Sequence, residues 1–378
     1  MKQKITKKIL YFVTEDWYFC SHRLELARAA KRAGFDIIVV TRVLQHGDKI
    51  TAEGFKLLPI DLMRRGRNPW REIKKINELV RIYRRERPDI VHHVALKPVL
   101  YGSLAAHIAR IPAVVNALAG LGYVFTSSQR QARLLRPFIL LAYRLLLNRA
   151  NTRVIVQNPD DLNLLVRQGG LDQSRTALIR GSGVDTNAYF PTVEPKNGPI
   201  VVFASRMLWD KGVGEFAVAA RLLRDTGVNC RFVLVGDGDS ANPASVPTEK
   251  LLDWQHSGVV EWWGRRDDMP NVFSLANIVC LPSYREGLPK VLIEAAACGR
   301  AIVASDVPGC REIVRHGENG LLVPVRDAEA LAAALRELID DPALRQQMGI
   351  RGREIAEAEF SIEKVAQETI AVYRSLLV

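Results

Sequence analysis

Short apolar runs rich in Val and Ile alternate with amphipathic stretches along the whole of this chain. Runs at 9–13, 35–40, 90–94, 113–118, 154–157 and 177–179 read as buried strands. Between them, Leu24, Leu26, Ala27 and Ala30 ahead of Gly34, and stretches at about 69–87, 98–109, 128–149 and 159–168, carry helical spacing. Thr14 to Tyr18 reads as a polar loop after the first strand. The rhythm breaks at 184–198, where Pro191, Pro195 and the Asn197-Gly198 turn signal stand. It restarts with strands at 200–204, 231–235, 259–263, 278–281, 301–305 and 321–325, and helices at about 212–226, 248–257, 287–298, 327–339, 342–357 and 361–376.

Uninterrupted apolar strands separated by helices predict parallel sheets covered on both faces, so the expected class is α/β, with two doubly wound, Rossmann-like domains. The boundaries are 1–183 for the first domain, 184–198 for a linker, 199–360 for the second domain and 361–378 for a closing helix able to fold back on the first. A length of 378 residues exceeds what one core usually supports, which favours the same division. Ligands of such sheets bind beyond the carboxyl ends of the strands, and two such domains are expected to face each other across a cleft.

Charge separates the halves. Residues 1–180 hold 32 Lys and Arg against 14 Asp and Glu, a net of +18, while residues 181–378 are net −6. One basic segment runs from Arg64-Arg65-Gly66-Arg67 through Arg87. A second places Arg130, Arg133, Arg136, Arg144 and Arg149 among Leu134, Leu135, Phe138, Ile139, Leu140, Leu141, Leu145, Leu146 and Leu147. Such a helix either lies in a membrane interface or packs into the core. Nucleic acid is disfavoured, because the basic segments lack interleaved aromatics and no nucleic-acid motif is present. The cysteines (Cys20, Cys230, Cys280, Cys298, Cys310) form no CxxC pair, so neither a disulfide scaffold nor structural zinc is expected and a reducing cytoplasm fits. No run reaches the roughly 18 apolar residues of a spanning helix.

The candidate chemistry follows the strands of the second domain. The strand at 200–204 ends in Ser205-Arg206-Met207-Leu208-Trp209-Asp210-Lys211-Gly212, and a helix follows. Two cations five residues apart at a strand's carboxyl end, beside a helix start, suit a diphosphate. Val235-Gly236-Asp237-Gly238 lacks the third glycine of a dinucleotide fingerprint, with Ala241 in its slot, so NAD is disfavoured. Trp262-Trp263-Gly264-Arg265-Arg266 offers rings that either stack on a base or plug the sheet. Pro282-Ser283-Tyr284-Arg285-Glu286-Gly287-Leu288-Pro289 then leads into a helix bearing Glu294. Carboxylates eight residues apart, one in the loop and one on an otherwise apolar helix, suit hydroxyl groups at two points of an extended ligand.

Glu286-x7-Glu294 within SYREGLPKVLIEAAACGRAIVASDVPGCREIV, with SRMLWDKGV and ENGLLVPVRD, resembles the family 4 glycosyltransferases of two-domain GT-B fold. HHVALKPVLYGS, NALAGLGYVF and RGSGVDTNAYFP resemble the branch that builds bacterial surface glycans on polyprenyl-diphosphate carriers. The resemblance implies a retaining, metal-independent hexosyl or N-acetylhexosaminyl transferase with no cofactor, using a nucleotide-sugar donor, UDP foremost, and a lipid-linked saccharide acceptor. It implies that Arg206 and Lys211 bind the donor diphosphate, Glu294 the ribose and Glu286 the donor sugar. The Gly287, Leu288 and Pro289 backbone would lie beside sugar and phosphate, and Gly264 and Arg265 beside the base. Two departures fall in the first domain. Thr14-Glu15-Asp16-Trp17-Tyr18 stands where many members have a Gly-Gly loop, and His92-His93-Val94 replaces an H-x-H. Glu15, Asp16, His93, Lys97 and Asn116, at strand ends, are the candidate acceptor or sugar contacts there; either histidine could equally be a core residue. The charged first half and the lipid acceptor together lead to an expected peripheral location on the inner face of the plasma membrane, against an anionic surface. A nucleotide-sugar epimerase of the same fold, a transferase with a soluble acceptor and a non-catalytic binder are the competing readings.

Overall fold

Alternation along β1 (Lys7–Glu15) sets the layers of the first half. Ile9, Tyr11 and Val13 enter one core and Leu10 and Phe12 the other, as a strand buried on both faces requires. Our computed structural model describes residues 6–62, 69–120, 130–196, 198–239 and 242–377, which divide into Met1–Gly183 with Ile362–Val378, and Val184–Ser361. Arg64, Arg65, Gly66, Arg67, residues 121–125 of the NALAGLGYVF motif, Asn197 and Ala241 lie outside the described residues, as do the side chains of Arg130 and Arg133.

The first unit holds a seven-stranded parallel sheet in the order β3-β2-β1-β4-β5-β6-β7. After β1 its strands are β2 (Phe35–Arg42), β3 (Lys56–Pro59), β4 (Ile90–Val94), β5 (Ala113–Leu118), β6 (Thr152–Val156) and β7 (Thr176–Leu178). Helices Pro69–Glu86, Leu96–Ala109 and Arg130–Leu147 are successive crossovers, and each packs on the next or on the strands it joins. The opposite face is covered by Leu24–Arg32 and by the closing helix Ile362–Ser375, whose Val365, Ala366, Ile370 and Tyr373 enter the core around Ile9 and Tyr11. Each such large apolar side chain contributes about 1.5–3 kcal/mol. The Tyr373 hydroxyl also bridges Tyr11 Oη at 3.0 Å and His92 Nδ1 at 2.6 Å, all buried.

The second unit repeats the plan with β8 (Ile200–Ala204), β9 (Arg231–Val235), β10 (Glu261–Trp262), β11 (Ile278–Leu281), β12 (Ala301–Ser305) and β13 (Gly320–Val323), ordered β10-β9-β8-β11-β12-β13. In both sheets the order reverses beside the first strand, between β1 and β4 and between β8 and β11, which is where open α/β sheets bind ligands. Caps mark the later helices. Asp327 accepts from Ala330 N at 2.8 Å, and Asp341, with Pro342 as first helical residue, accepts from Leu344 N at 2.9 Å. Val184 joins this unit, its N–H donating to Phe360 O at 2.9 Å.

Several local expectations need correction. The polar loop at 14–18 does not exist, because β1 continues through Glu15 and the helix Asp16–His22 follows directly. The Asp16 carboxylate makes this possible. It accepts backbone N–H groups of Trp17, Leu44, Gln45 and His46 at 2.7–2.9 Å, tying the helix start to the end of β2. β10 has only two residues, and the helix expected at 287–298 is Lys290–Ala297, with Pro289 as its cap residue. β3 and the helices Gly47–Ala52, Met269–Ser274 and Pro308–Arg311 have no counterpart in the sequence reading, being short and weakly periodic.

Candidate active site

Gly212 brings the two sides of the second sheet's switch point together. It ends the 3₁₀ turn Trp209–Lys211 and caps the helix Val213–Asp225 with φ +78°, and a Cβ there would lie 2.1 Å from Pro282 O. Only glycine allows this approach, which presses the loop after β8 against the segment after β11. Tyr284 N donates to Asp210 O at 2.9 Å across the same seam.

On this seam Lys211 Nζ lies 2.5 Å from Glu286 Oε1, with the two side chains only 20% and 10% exposed. Ser283 Oγ donates to the same oxygen at 2.6 Å, while Oε2 accepts nothing from the described residues. Glu286 is therefore a held carboxylate with one open edge, and it does not cap the following helix, whose cap is Pro289. Gly309 packs behind it, where a Cβ would fall 2.6 Å from Gly287 O.

Arg206, about half exposed, pairs through Nη1 with Asp239 Oδ2 at 2.9 Å. Each cation thus holds a carboxylate of its own and keeps donors over, since a guanidinium has five N–H groups and an ammonium three. The helices Val213–Asp225 and Lys290–Ala297 start without a side-chain cap, so their first N–H groups point from the same sheet edge.

Glu294 is buried. Lys290 Nζ sits 2.7 Å from its Oε1, and the Tyr189 hydroxyl hydrogen-bonds it. Burial first, then the charge and hydrogen bond of Glu294, push the Tyr189 pKa up. A solvated helix residue is thereby excluded for Glu294. Gly264, at φ +64°, accepts through its carbonyl from Gly236 N at 2.8 Å, and Arg265 reaches Asp267 at 3.3 Å on the surface. Both adjacent indoles pack against the core, and Trp262 Nε1 donates to Gly236 O at 2.8 Å, which favours plugs over stacking platforms. Asp239, Ser283 and Tyr189 were missed in the sequence because each acts through a partner more than two residues away.

The first unit's candidates divide. Asp16 is fully buried and filled by backbone donors. Burial alone would raise its carboxyl, and the N–H groups outweigh that and hold it below its ordinary value. His93 is also buried. Asn116 Oδ1, which also accepts from Ser103 Oγ at 3.0 Å, can only accept, so His93 Nδ1 carries the proton at 2.8 Å. Nε2 then accepts from the Tyr83 hydroxyl at 2.9 Å. Burial lowers this imidazole to about 4 and holds His92 well below its ordinary value too, so both histidines are neutral core residues. Asp16, His93 and Asn116 are therefore withdrawn as acceptor or sugar contacts: their polar groups serve the interior. Asn116 Nδ2 has no hydrogen-bond partner among the described residues. Glu15 accepts from Trp17 Nε1 at 2.7 Å, and Lys97 pairs with Glu72 at 2.9 Å, both near the β1 and β4 carboxyl ends.

Residues 185–355 match the model for glycosyl transferases group 1, and residues 8–158 match the model for glycosyl transferase 4-like proteins. Over 364 residues the chain is 29% identical to the N,N'-diacetylbacillosaminyl-diphospho-undecaprenol alpha-1,3-N-acetylgalactosaminyltransferase of Campylobacter jejuni, spanning 93% of this chain and 94% of that protein. It is 24% identical over 290 residues to the UDP-Gal:alpha-D-GlcNAc-diphosphoundecaprenol alpha-1,3-galactosyltransferase of Escherichia coli, spanning 72% of each. A sucrose-phosphate synthase structure from Thermosynechococcus elongatus superposes with a TM-score of 0.80 at 23% identity, over 98% of this chain and 99% of that one, a likeness of fold. With one model matched in each unit and both parallel sheets laid out in the same strand order, this chain belongs to the family 4 glycosyltransferases of GT-B fold.

Proposed function

We propose that this glycosyltransferase moves a hexosyl or N-acetylhexosaminyl group, with retention, from a UDP-sugar to a hydroxyl of a polyprenyl-diphosphate-linked saccharide in surface-glycan assembly, working peripherally at the inner face of the membrane. The observation that carries the reading is Glu286, held through one oxygen by Lys211 and Ser283 at the switch point, its other oxygen without a donor among the described residues. The relatives named for diphospho-undecaprenol acceptors support the substrate class.

In this reading Arg206 and Lys211 take the donor diphosphate, joined by the N–H groups at the two helix starts. Lys211 can bridge Glu286 and a phosphate oxygen at once, because its ammonium has three donors. Glu294, oriented by Lys290 and Tyr189, accepts from the ribose hydroxyls. Glu286 accepts from a donor-sugar hydroxyl, with the Gly287, Leu288 and Pro289 backbone beside it, and Gly264 and Arg265 flank the base. In the transfer the bond from the anomeric carbon to phosphate oxygen breaks, the acceptor oxygen bonds that carbon on the same face, and its proton passes to the leaving diphosphate. The cations stabilise the charge that develops there. No step uses a metal or cofactor, and Glu15 and Lys97 remain the first-unit candidates for sugar or acceptor contact.

The test supplies purified enzyme with UDP-sugars and a polyprenyl-diphosphate-linked saccharide and follows the product's anomeric configuration by NMR. A retained linkage is expected. Donor turnover without acceptor would point to an epimerase, transfer only to free saccharides to a soluble-acceptor enzyme, and UDP binding alone to a binder; each would overturn the reading.

A further inference from the structure

The helix Arg130–Leu147 presents two faces of opposite use. Ile139, Leu140, Tyr143, Leu146 and Leu147 pack inward around Val99 and Val154. Leu134, Phe138, Leu141 and Leu145, spaced four, three and four residues apart, form one outward stripe and are 54–70% exposed. Packing into the core, one of the two readings open at the sequence level, therefore accounts for half of this helix and leaves the other half unexplained. A stripe of this size on a polar-rimmed surface marks an interaction site.

Charge decides what covers it. From Ile90 to Pro159 the chain has no Asp or Glu in 70 residues, against eight Lys and Arg. Arg144, exposed beside the stripe, and Arg149, half-buried just past the helix with its buried Nε unbonded, have no carboxylate partner among the described residues. A second copy would bring the same positive surface against itself. No helix among the described residues is long and apolar enough to cross a membrane, so this one would lie in the plane of the surface. As a crossover between parallel strands it runs against them, which puts Leu134 and Phe138 toward the carboxyl edge, where Glu15 and Lys97 also lie.

We infer that Arg130–Leu147 is an in-plane anchor. Leu134, Phe138, Leu141 and Leu145 enter the acyl boundary of an anionic phospholipid bilayer, while Arg144 and Arg149 meet lipid phosphates. This rests on the proposed lipid-linked acceptor for its purpose, and its test uses no sugar transfer. Wild type and the variant L134S/F138S/L141S/L145S are sedimented with phosphatidylglycerol–phosphatidylcholine vesicles and with pure phosphatidylcholine vesicles, at low and high salt. Wild type is expected to partition onto the anionic vesicles, to weaken about fivefold with each of R144Q and R149Q, and to lose at least tenfold with the four serines. Circular dichroism and UDP binding check that the variant folds. Phe138→Trp, which keeps the stripe intact, should be quenched by brominated lipid. Serine variants that sediment like wild type, an unquenched tryptophan, binding indifferent to lipid charge, or a stripe that only drives self-association without lipid would each overturn the inference. Lys211→Ala serves as the separating control, since it should slow transfer by about 10²–10³ and leave sedimentation unchanged.

Discussion

Lys211 Nζ and Glu286 Oε1 stand 2.5 Å apart although 75 residues separate them in the chain. The pair links the loops that follow β8 and β11, the two neighbouring strands at which the second sheet reverses its order. A partly buried ion pair of this kind is a weak source of stability, because desolvation offsets most of the attraction. Its position suits a different use: it fixes the carboxylate and leaves ammonium donors over.

Removing the cation should therefore affect chemistry more than folding. Lys211→Ala is expected to lower kcat/KM by about 10²–10³, as for other lost contacts at a developing charge. Thermal unfolding should move little beside that loss. Steady-state kinetics near wild type would remove Lys211 from the phosphate role.

The Gly212 contact gives a stability prediction with an internal control. Gly212→Ala combines a φ of +78° with a Cβ 2.1 Å from Pro282 O, whereas Gly198→Ala has φ +86° and nothing within 4 Å. The second change should cost about 1 kcal/mol and the first at least about 2–3 kcal/mol. Denaturant midpoints of the two variants compare them directly, and equal midpoints would show that the seam yields without penalty.

Glu294 can be tested through its partners. Glu294→Gln keeps the size and weakens the pairing with Lys290, so donor binding should fall about tenfold, as for one lost charge-assisted hydrogen bond. Tyr189→Phe, which removes only the orienting hydroxyl, should produce a smaller loss in the same direction. Titration calorimetry with UDP reads both; unchanged affinity in Glu294→Gln would assign this carboxylate to structure alone.

The buried histidines predict an acid-sensitive fold. An unfolded imidazole binds its proton near pH 6.5, while folded His93 holds out to about 4. Between these values the unfolded chain binds more protons, so stability is full above about pH 6.5 and is lost as pH falls toward 4. His93 accounts for up to about 3 kcal/mol of that loss, and His92, lowered by burial as well, adds in the same direction. Urea unfolding at pH 7.5, 6 and 4.5 should give a flatter profile for His93→Gln, which starts from lower stability. Parallel profiles would count against the histidine as a source.

Period and strand ends carried what could be read from the order of residues alone. Runs such as 90–94, 113–118, 200–204, 231–235 and 301–305 coincide with strands of the two sheets because a parallel strand buried on both faces has few polar options. Arg206, Lys211, Glu286 and Glu294 were legible for a related reason: each stands at, or a short way past, the end of such a run. Tertiary structure decided what those side chains touch. Nothing local in the sequence pairs Lys211 with Glu286, Arg206 with Asp239 or Tyr189 with Glu294, because those contacts arise only once crossovers set distant strands side by side. Spacing alone could not tell a ligand-facing strand end from an inward one either. His93 and Asp16 sit where substrate contacts are sought, yet strand alternation turns the first toward Tyr83 and three neighbouring backbone amides at the end of β2 claim the second. The outward stripe of Arg130–Leu147 was likewise settled by packing, since only the neighbouring helix and strands determine which apolar face is covered.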